Sequence, residues 1–464
     1  MADQSAMSEV KLFPDVPRHV PLNWSMIADR FDTYIMDEKN GVRFTDKEGF
    51  HRFGAFVEDG GHELITFGGI ILGKILRGES AANYLPTLGT YFSLENAIFM
   101  NHPGNRREEY WYLMLVNCYA FEIIRKSHPS TPDYVNMMKQ SLETLLRIAK
   151  ANNYDFNDQG FDFAAEAPFT NKDSYRQPDT IGAYSYLMLV GYEQFKDSKY
   201  LNEAVKAMGY YQSFKNNPWY EIPSGAMACQ AAAKLNSMGF SFDLAKIIGF
   251  TFDSEQGPMH TGKWGDAEVN GLMRGWRGYS REEASQTAYS LESFILLPFL
   301  LPVVSYVSKD IGRLIAKYAL HAAVNGRLFF GDLLSPEAQS RPELPPDVPY
   351  ETLHCDKSGQ KPYAFGDFHT HKSVYGGALT LWWAALVEPS GQPFILKLNL
   401  SKTDFLNPGK PAFYLFYNPM AEPKEVTLNE NTTLYDVYEQ GYVSSGTIVI
   451  PAGDVKIICE MAKK

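Results

Sequence analysis

From residue 22 to residue 387 the chain repeats one pattern, apolar residues at three- and four-residue spacing broken by loops, and from residue 393 the spacing becomes two. The first spacing gathers apolar side chains on one face of a helix, the second on one face of a strand. Helices are therefore predicted over 22–34, 64–77, 83–97, 107–126, 133–152, 180–195, 200–214, 225–238, 242–252, 284–307, 309–325 and 372–387. Several begin at a cap or breaker: Asp197 and Ser198, Pro223 and Ser224, and Ser308. Short and long connections alternate between them. Paired helices closing into a ring explain that alternation, with short loops turning each pair at one end. The long loops 152–178, 256–282 and 330–371 then gather at the other end as a site-bearing face. No fixed-length repeat is visible, which argues against a solenoid.

Residues 1–20 are polar with prolines and are expected to form an extended lead-in, and 40–61 read as a β-hairpin lying over the ring. Residues 21–390 form the predicted helical domain. From 391 to 464 the runs FILKLNL, AFYLFYN, KEVTLN, TLYDVYE, GTIVIP and VKIICEM alternate between turns, as in a compact antiparallel β-module.

Aromatic residues make up 14% of the 464 residues, more than packing alone requires, and aromatic faces are platforms for the apolar faces of sugars. The net charge of −11 comes with no basic tract, so neither a nucleic-acid backbone nor an anionic membrane is an expected partner. Four dispersed cysteines give no disulfide framework or zinc finger. The first residues lack the pattern of a signal peptide, so the sequence as it stands reads as cytoplasmic; removal of a signal would make the protein secreted or periplasmic. No cofactor is expected.

Chemistry concentrates in GPMHTGKWGDAEVNGLMRGWRGYSR, residues 257–281. Glycines permit tight turns there, while His260, Asp266, Glu268, Asn270, Arg274, Arg277 and Tyr279 supply acid, base and charge. Glycoside hydrolysis needs two carboxyl groups flanking the scissile bond. Asp266 and Glu268 are too near in sequence to flank a sugar, so one of them is paired with Asp162 or with Glu166, whose Ala/Phe-rich setting favours a raised pKa. Asp179 precedes a helix and is read either as a cap or as a substrate contact. Trp219, Trp264 and Trp276 lie in loops and are stacking candidates, whereas Trp382 and Trp383 are mid-helix and belong to the core. In GDFHTHKSVYGG, Asp367, His369 and His371 share one face if extended; contact with substrate is favoured over metal ligation, and no metal is assigned.

The closing stretch FYLFYNPMAEPKEVTLNENTTLYDVYEQGYVSSGTIVIPAGDVKIICE has a Tyr-Asn-Pro turn, a Leu-Tyr-Asp strand and an Ile-Pro-Ala-Gly lead into the last strand. With the preceding helical ring, this layout resembles carbohydrate-active enzymes built from an (α/α)6 toroid and a C-terminal β-sandwich. The resemblance implies that fold, an oligo- or polysaccharide substrate and a site at the toroid's open end. It carries over no catalytic motif. The expected activity is glycoside hydrolysis, with Asp266 or Glu268 and Glu166 or Asp162 as the carboxylates and Trp264, Trp276, His260 and His369 among the contacts. Three alternatives stay open: a uronate lyase using Tyr279, His260 and Arg274, a sugar epimerase or isomerase using His260 and His369, and a non-catalytic glycan-binding protein.

Overall fold

The computed structural model of the protein describes residues 7–127, 132–276, 286–355, 362–365, 372–428, 433–443 and 446–461. In chain order its helices are α1 (Ser8–Lys11), α2 (Trp24–Met36), α3 (Leu64–Leu76), α4 (Leu85–Gly89), α5 (Tyr110–Lys126), α6 (Pro132–Ala151) and α7 (Thr180–Phe195). They continue with α8 (Ser198–Ser213), α9 (Ile222–Ser237), α10 (Leu244–Thr251), α11 (Ser290–Leu300), α12 (Lys309–Asn325) and α13 (Val374–Leu386). From α2 onward, outer and inner helices alternate. The inner helices α3, α5, α7, α9, α11 and α13 each pack on the next, and α13 returns to α3, closing an (α/α)6 toroid.

The two rings differ in sequence for a physical reason. Inner α11 buries all eleven of its residues, and past its polar first turn it is apolar all round. Outer α8 buries only the stripe Tyr200, Ala204, Ala207, Met208 and Tyr211 and leaves its other face to water. Small residues let the inner helices approach closely. A Cβ on Gly182 of α7 would lie 2.6 Å from the Cβ of Ala228 on α9, and one on Gly73 of α3 would lie 2.6 Å from the Cβ of Leu381 on α13.

Two adjacent tryptophans close the ring. Trp382 donates its indole N–H to the Gly69 carbonyl of α3 at 2.9 Å and packs on Tyr119 of α5. Trp383 donates to the Phe294 carbonyl of α11 at 2.7 Å and packs on Trp24 of α2. Both are fully buried, as their mid-helix positions predict.

Three elements differ from the sequence reading. The segment 83–97 keeps only α4 and then pairs Phe92–Ser93 with Ile98–Phe99 as two short strands. The helix predicted over 284–307 ends at Leu300 and tightens into a 3₁₀ helix, Leu301–Tyr306, with Pro302 in its first turn, where a missing N–H is tolerated. The lead-in contains α1, and Met7, Val10 and Phe13 are buried, with Phe13 set edge-on against His321 of α12.

Past α13 a six-stranded antiparallel sheet runs in the order Val387–Glu388, Leu396–Asn399, Ala412–Asn418, Asp454–Met461, Thr433–Asp436 and Gly441–Tyr442. Its period of two sorts the side chains. Leu396, Leu398, Leu415, Tyr417, Val455 and Ile457 join the core of the toroid. Ile395, Phe416, Leu434 and Ile458 face a separate small core completed by Val426, Ile448 and Ile450 of the pair Lys424–Thr427 and Thr447–Ile450. None of the described helices is long and apolar enough to cross a membrane.

Candidate active site

Five of the six inner helices are entered from loops of at least 20 residues and α9 from the shorter 214–221, and all six N-termini open on one face. The entering loops are 37–63, 90–109, 152–179, 214–221, 252–289 and 326–373. Small sheets tie neighbouring loops together. Arg107–Glu109 pairs with Gly160–Asp162, which pairs with Ala167–Phe169; Thr287–Tyr289 pairs with Thr352–Cys355.

Carboxylates stand at these N-termini. Glu63, Glu109, Asp179 and Glu221 occupy the N-cap positions of α3, α5, α7 and α9, and Glu292 lies in the first turn of α11. None of the four N-cap carboxylates caps its own helix. The outer helices show the contrast: Asn23, Asp197, Asp243 and Ser308 cap α2, α8, α10 and α12 through their side chains. Glutamate is a poor capping residue. Its recurrence at three inner N-termini therefore serves another purpose, and the convergent positive ends of the helix dipoles favour negative charge there.

Glu221 and Glu292 are both buried and hydrogen-bonded to each other. Two carboxyl groups in contact cannot both be charged, so the pair holds a proton. Burial pushes Glu221 far above the ordinary carboxylate range, reinforced in turn by Glu292, Asp179 and Glu109. Asp179 Oδ2 accepts the backbone N–H groups of Tyr220 at 2.9 Å and Glu221 at 3.1 Å. Glu109 is gripped by the amides of Gln159 at 2.9 Å and Gln177 at 2.7 Å, and burial raises it too.

Tyrosines complete the surround. Tyr375 of α13 donates its hydroxyl to Glu351 and lies within electrostatic reach of Glu292 and Tyr112. Tyr112 of α5 stacks on Trp111 at 3.9 Å and feels Glu63, Glu109, Glu108 and Glu221. Both rings remain half-buried. Tyr175 and Trp276, from the loops entering α7 and α11, meet with ring centroids 5.1 Å apart. They flank the sector of α9, whose entering loop, 214–221, is the shortest of the six.

Beside this surround Glu108 is buried, and desolvation pushes it up to about 8. The folded state thus keeps a proton on Glu108 that the unfolded chain releases near 4.5, and stability is lost as pH rises through that window. Glu108→Gln is expected to be more stable than the parent by up to about 4 kcal/mol at pH 8, with the difference vanishing near pH 4. Urea unfolding at both pH values measures it.

The residues singled out in the sequence fall elsewhere. Asp162 is clamped by Arg106 at 2.9 Å and Arg107 at 2.7 Å and accepts the N–H groups of Ala164 and Ala165. Those guanidinium groups hold it far below the usual carboxylate range, the opposite of what a general acid needs. Glu166, expected in an apolar setting, is exposed at a turn with φ of 52° and pairs with Arg147. Asp266 is exposed beside the short pairing of Lys263–Trp264 with Ala267–Glu268, whereas Glu268 is buried; the two do not share one environment.

His260 is buried, its Nε2 on the Thr287 carbonyl at 2.8 Å, and desolvation drives it down to about 3, which keeps it neutral and structural. Arg274 donates to the carbonyls of Gly257 and Ser254, and Asn270 accepts the Gly262 N–H. Trp264 and Trp219 are buried, the former against His260. Much of this stretch packs on outer helix α12: Gly271 lies against Tyr318 and Ala322, and Asn325 donates to the Asn270 carbonyl. Two residues of the sequence reading join this surround: Asp179 through the Tyr220 and Glu221 N–H groups, and Trp276 against Tyr175. Arg277, Tyr279, Asp367, His369 and His371 lie outside the described residues. Among the described residues no cluster of three or more His, Cys, Asp or Glu side chains is arranged to hold a metal ion.

No protein-family profile matches the chain, and no curated protein is similar to it in sequence. Among solved structures it is similar to cellobiose 2-epimerase from Bacillus thermoamylovorans B4167, at 9% identity and a TM-score of 0.52 over 78% of this chain and 99% of that one. A sugar epimerase from a ruminal bacterium shares 12% identity at a TM-score of 0.51 over 79% of this chain and 100% of the other. The chain has the (α/α)6 toroid fold of these carbohydrate-active enzymes.

Proposed function

We propose that the protein is a glycoside hydrolase acting on a neutral saccharide, with Glu221 and Glu292 as its carboxyl pair. The observation that carries this reading is the proton-sharing contact of these two buried groups at the N-termini of adjacent inner helices. Glu221, crowded by three other carboxyl groups, keeps the proton and acts as general acid on the leaving oxygen. Glu292, in the first turn of α11 beside the positive helix end, is the nucleophile. The bond it forms to the anomeric carbon is then cleaved by water, with Glu221 now accepting the proton. Trp276 and Tyr175 supply the stacking face for a further sugar ring. After burial, the strongest influences on Glu221 are all carboxyl groups, so a uronate would meet repulsion where a neutral sugar would not.

Retaining glycosidases hold their carboxyl groups about 5 Å apart, and inverting ones hold them about 6.5–9.5 Å apart to admit a water. The Glu221–Glu292 contact is shorter than either spacing and has to open to admit the glycosidic bond, which brings it first to the retaining distance. The first-formed product is therefore expected to keep the anomeric configuration of the substrate, read by proton NMR before mutarotation. Substrate class is tested with a panel of neutral and uronate-containing glycans, following reducing ends and unsaturated-uronate absorbance in parallel. Reducing ends without absorbance are expected; absorbance would mean elimination and contradict the reading.

One observation favours a second reading, epimerisation or isomerisation of a sugar, the activity for which the two similar structures are named. His62 and His102 lie within electrostatic reach of each other beside α3, with His102 3.9 Å from Glu63. Both are lowered by desolvation and so remain neutral enough to take a proton. Conversion of a free sugar without new reducing ends would select this reading.

A further inference from the structure

We infer that Asp179 is a positioning residue that fixes the N-terminus of α9 and thereby aims Glu221 at Glu292. The inference rests on the carboxyl pair proposed above. Asp179 sits at the N-cap of α7, yet its side chain makes no capping hydrogen bond there. It reaches across to the neighbouring inner helix, where Oδ2 takes the N–H of Tyr220 and of Glu221, the two residues that lead into α9. A helix start leaves its first N–H groups without intrahelical partners, and here a carboxylate from another helix fixes the peptide that bears the acid.

The loop concerned, 214–221, is the shortest of the six that enter the inner ring, so it has no small sheet to brace it. Bracing comes instead from side chains: Asn217 Oδ1 accepts the Trp219 N–H at 3.0 Å, and Asp179 holds the next two. Close packing of α7 on α9, where Gly182 leaves no room for a Cβ beside Ala228, carries the position of Asp179 rigidly to Glu221. The groups facing Glu221 are Glu292 from α11, Asp179 from α7, Glu109 and Tyr112 from α5 and Tyr220 from its own loop. Asp179 thus adds negative charge to the same carboxyl that it positions.

The two contributions separate on substitution. Asp179→Ala removes both, and kcat is expected to fall about 10²-fold, the usual cost of a misplacement near 1 Å, with KM changed far less. Asp179→Asn keeps an oxygen for the two N–H groups but removes the charge. It is expected to recover most of the lost kcat while the basic limb of the kcat/KM profile moves to lower pH.

An infrared titration of the protonated-carboxyl C=O band needs no substrate. Its Glu221-dependent part, assigned by its loss in Glu221→Gln, is expected to titrate at lower pH in Asp179→Asn. Wild-type turnover with kcat, pH profile and band unchanged in both Asp179 variants would overturn the inference and leave the hydrolase reading standing. No wild-type turnover together with a shifted band would do the reverse. If Asp179→Ala fails to fold, Asp179→Glu takes its place: it keeps the charge but displaces the oxygen, and a fall in kcat with the basic limb unmoved is expected, whereas unchanged kcat would overturn the inference.

Discussion

Replacing Glu221 with glutamine is expected to lower kcat on an ordinary glycoside by about 10²–10⁴-fold, the range that general acid catalysis supplies. The loss should depend on the leaving group. An aryl glycoside with an acidic phenol departs without protonation, so Glu221→Gln keeps rapid formation of the glycosyl-enzyme on that substrate. Glu292→Gln does not, because no nucleophile is left to attack. The contrast assigns the two roles, which come from unequal surroundings: Asp179 and Glu109 crowd Glu221, and the start of α11 supports Glu292. Equal losses for both variants on both substrates would contradict the assignment.

The largest effect on stability is expected at Trp382. Its side chain is fully buried between α3, α5 and the start of the β-module, with Tyr119, Phe299 and Phe405 around it and its N–H on the Gly69 carbonyl. Trp382→Ala removes a large buried side chain and the second hydrogen bond to that helical carbonyl, at a cost of about 3–5 kcal/mol. Against a typical total of about 5–15 kcal/mol this brings the toroid close to unfolding. Urea unfolding followed by far-ultraviolet circular dichroism measures it. A loss below about 1 kcal/mol would show that the last inner helix is not what closes the ring.

The toroid was legible because a dozen helices alternate with short and long connections, and the β-module because its period is two. Local breaks were harder to read. Residues 83–97 carry enough apolar side chains for a helix, but the chain turns after Gly89 and uses Phe92 and Phe99 as facing strand residues.

The site was less legible. The stretch 257–281 drew notice through its density of polar residues, yet in its described part His260, Asn270 and Arg274 spend their hydrogen bonds on neighbouring backbone. Such a segment is polar because an irregular wall must satisfy its own peptide groups. Glu221 and Glu292 escaped notice because each stands alone in sequence at a helix start, where a carboxylate ordinarily means a cap or a dipole partner. A usable signal was present: glutamate, a poor capping residue, directly precedes the apolar helices at Leu64, Tyr110 and Ile222. Only closure of the ring brings these positions together.

The most direct test of the carboxyl pair is covalent trapping. An activated 2-deoxy-2-fluoro glycoside, made from the sugar that the panel identifies, slows breakdown of the glycosyl-enzyme so that the adduct accumulates and can be located by peptide mass spectrometry. The expected result is a single adduct on Glu292, still formed in Glu221→Gln and absent in Glu292→Gln. An adduct on Asp266 or Glu268, or steady hydrolysis with no adduct at all, would contradict a catalytic pair at the N-termini of the inner helices.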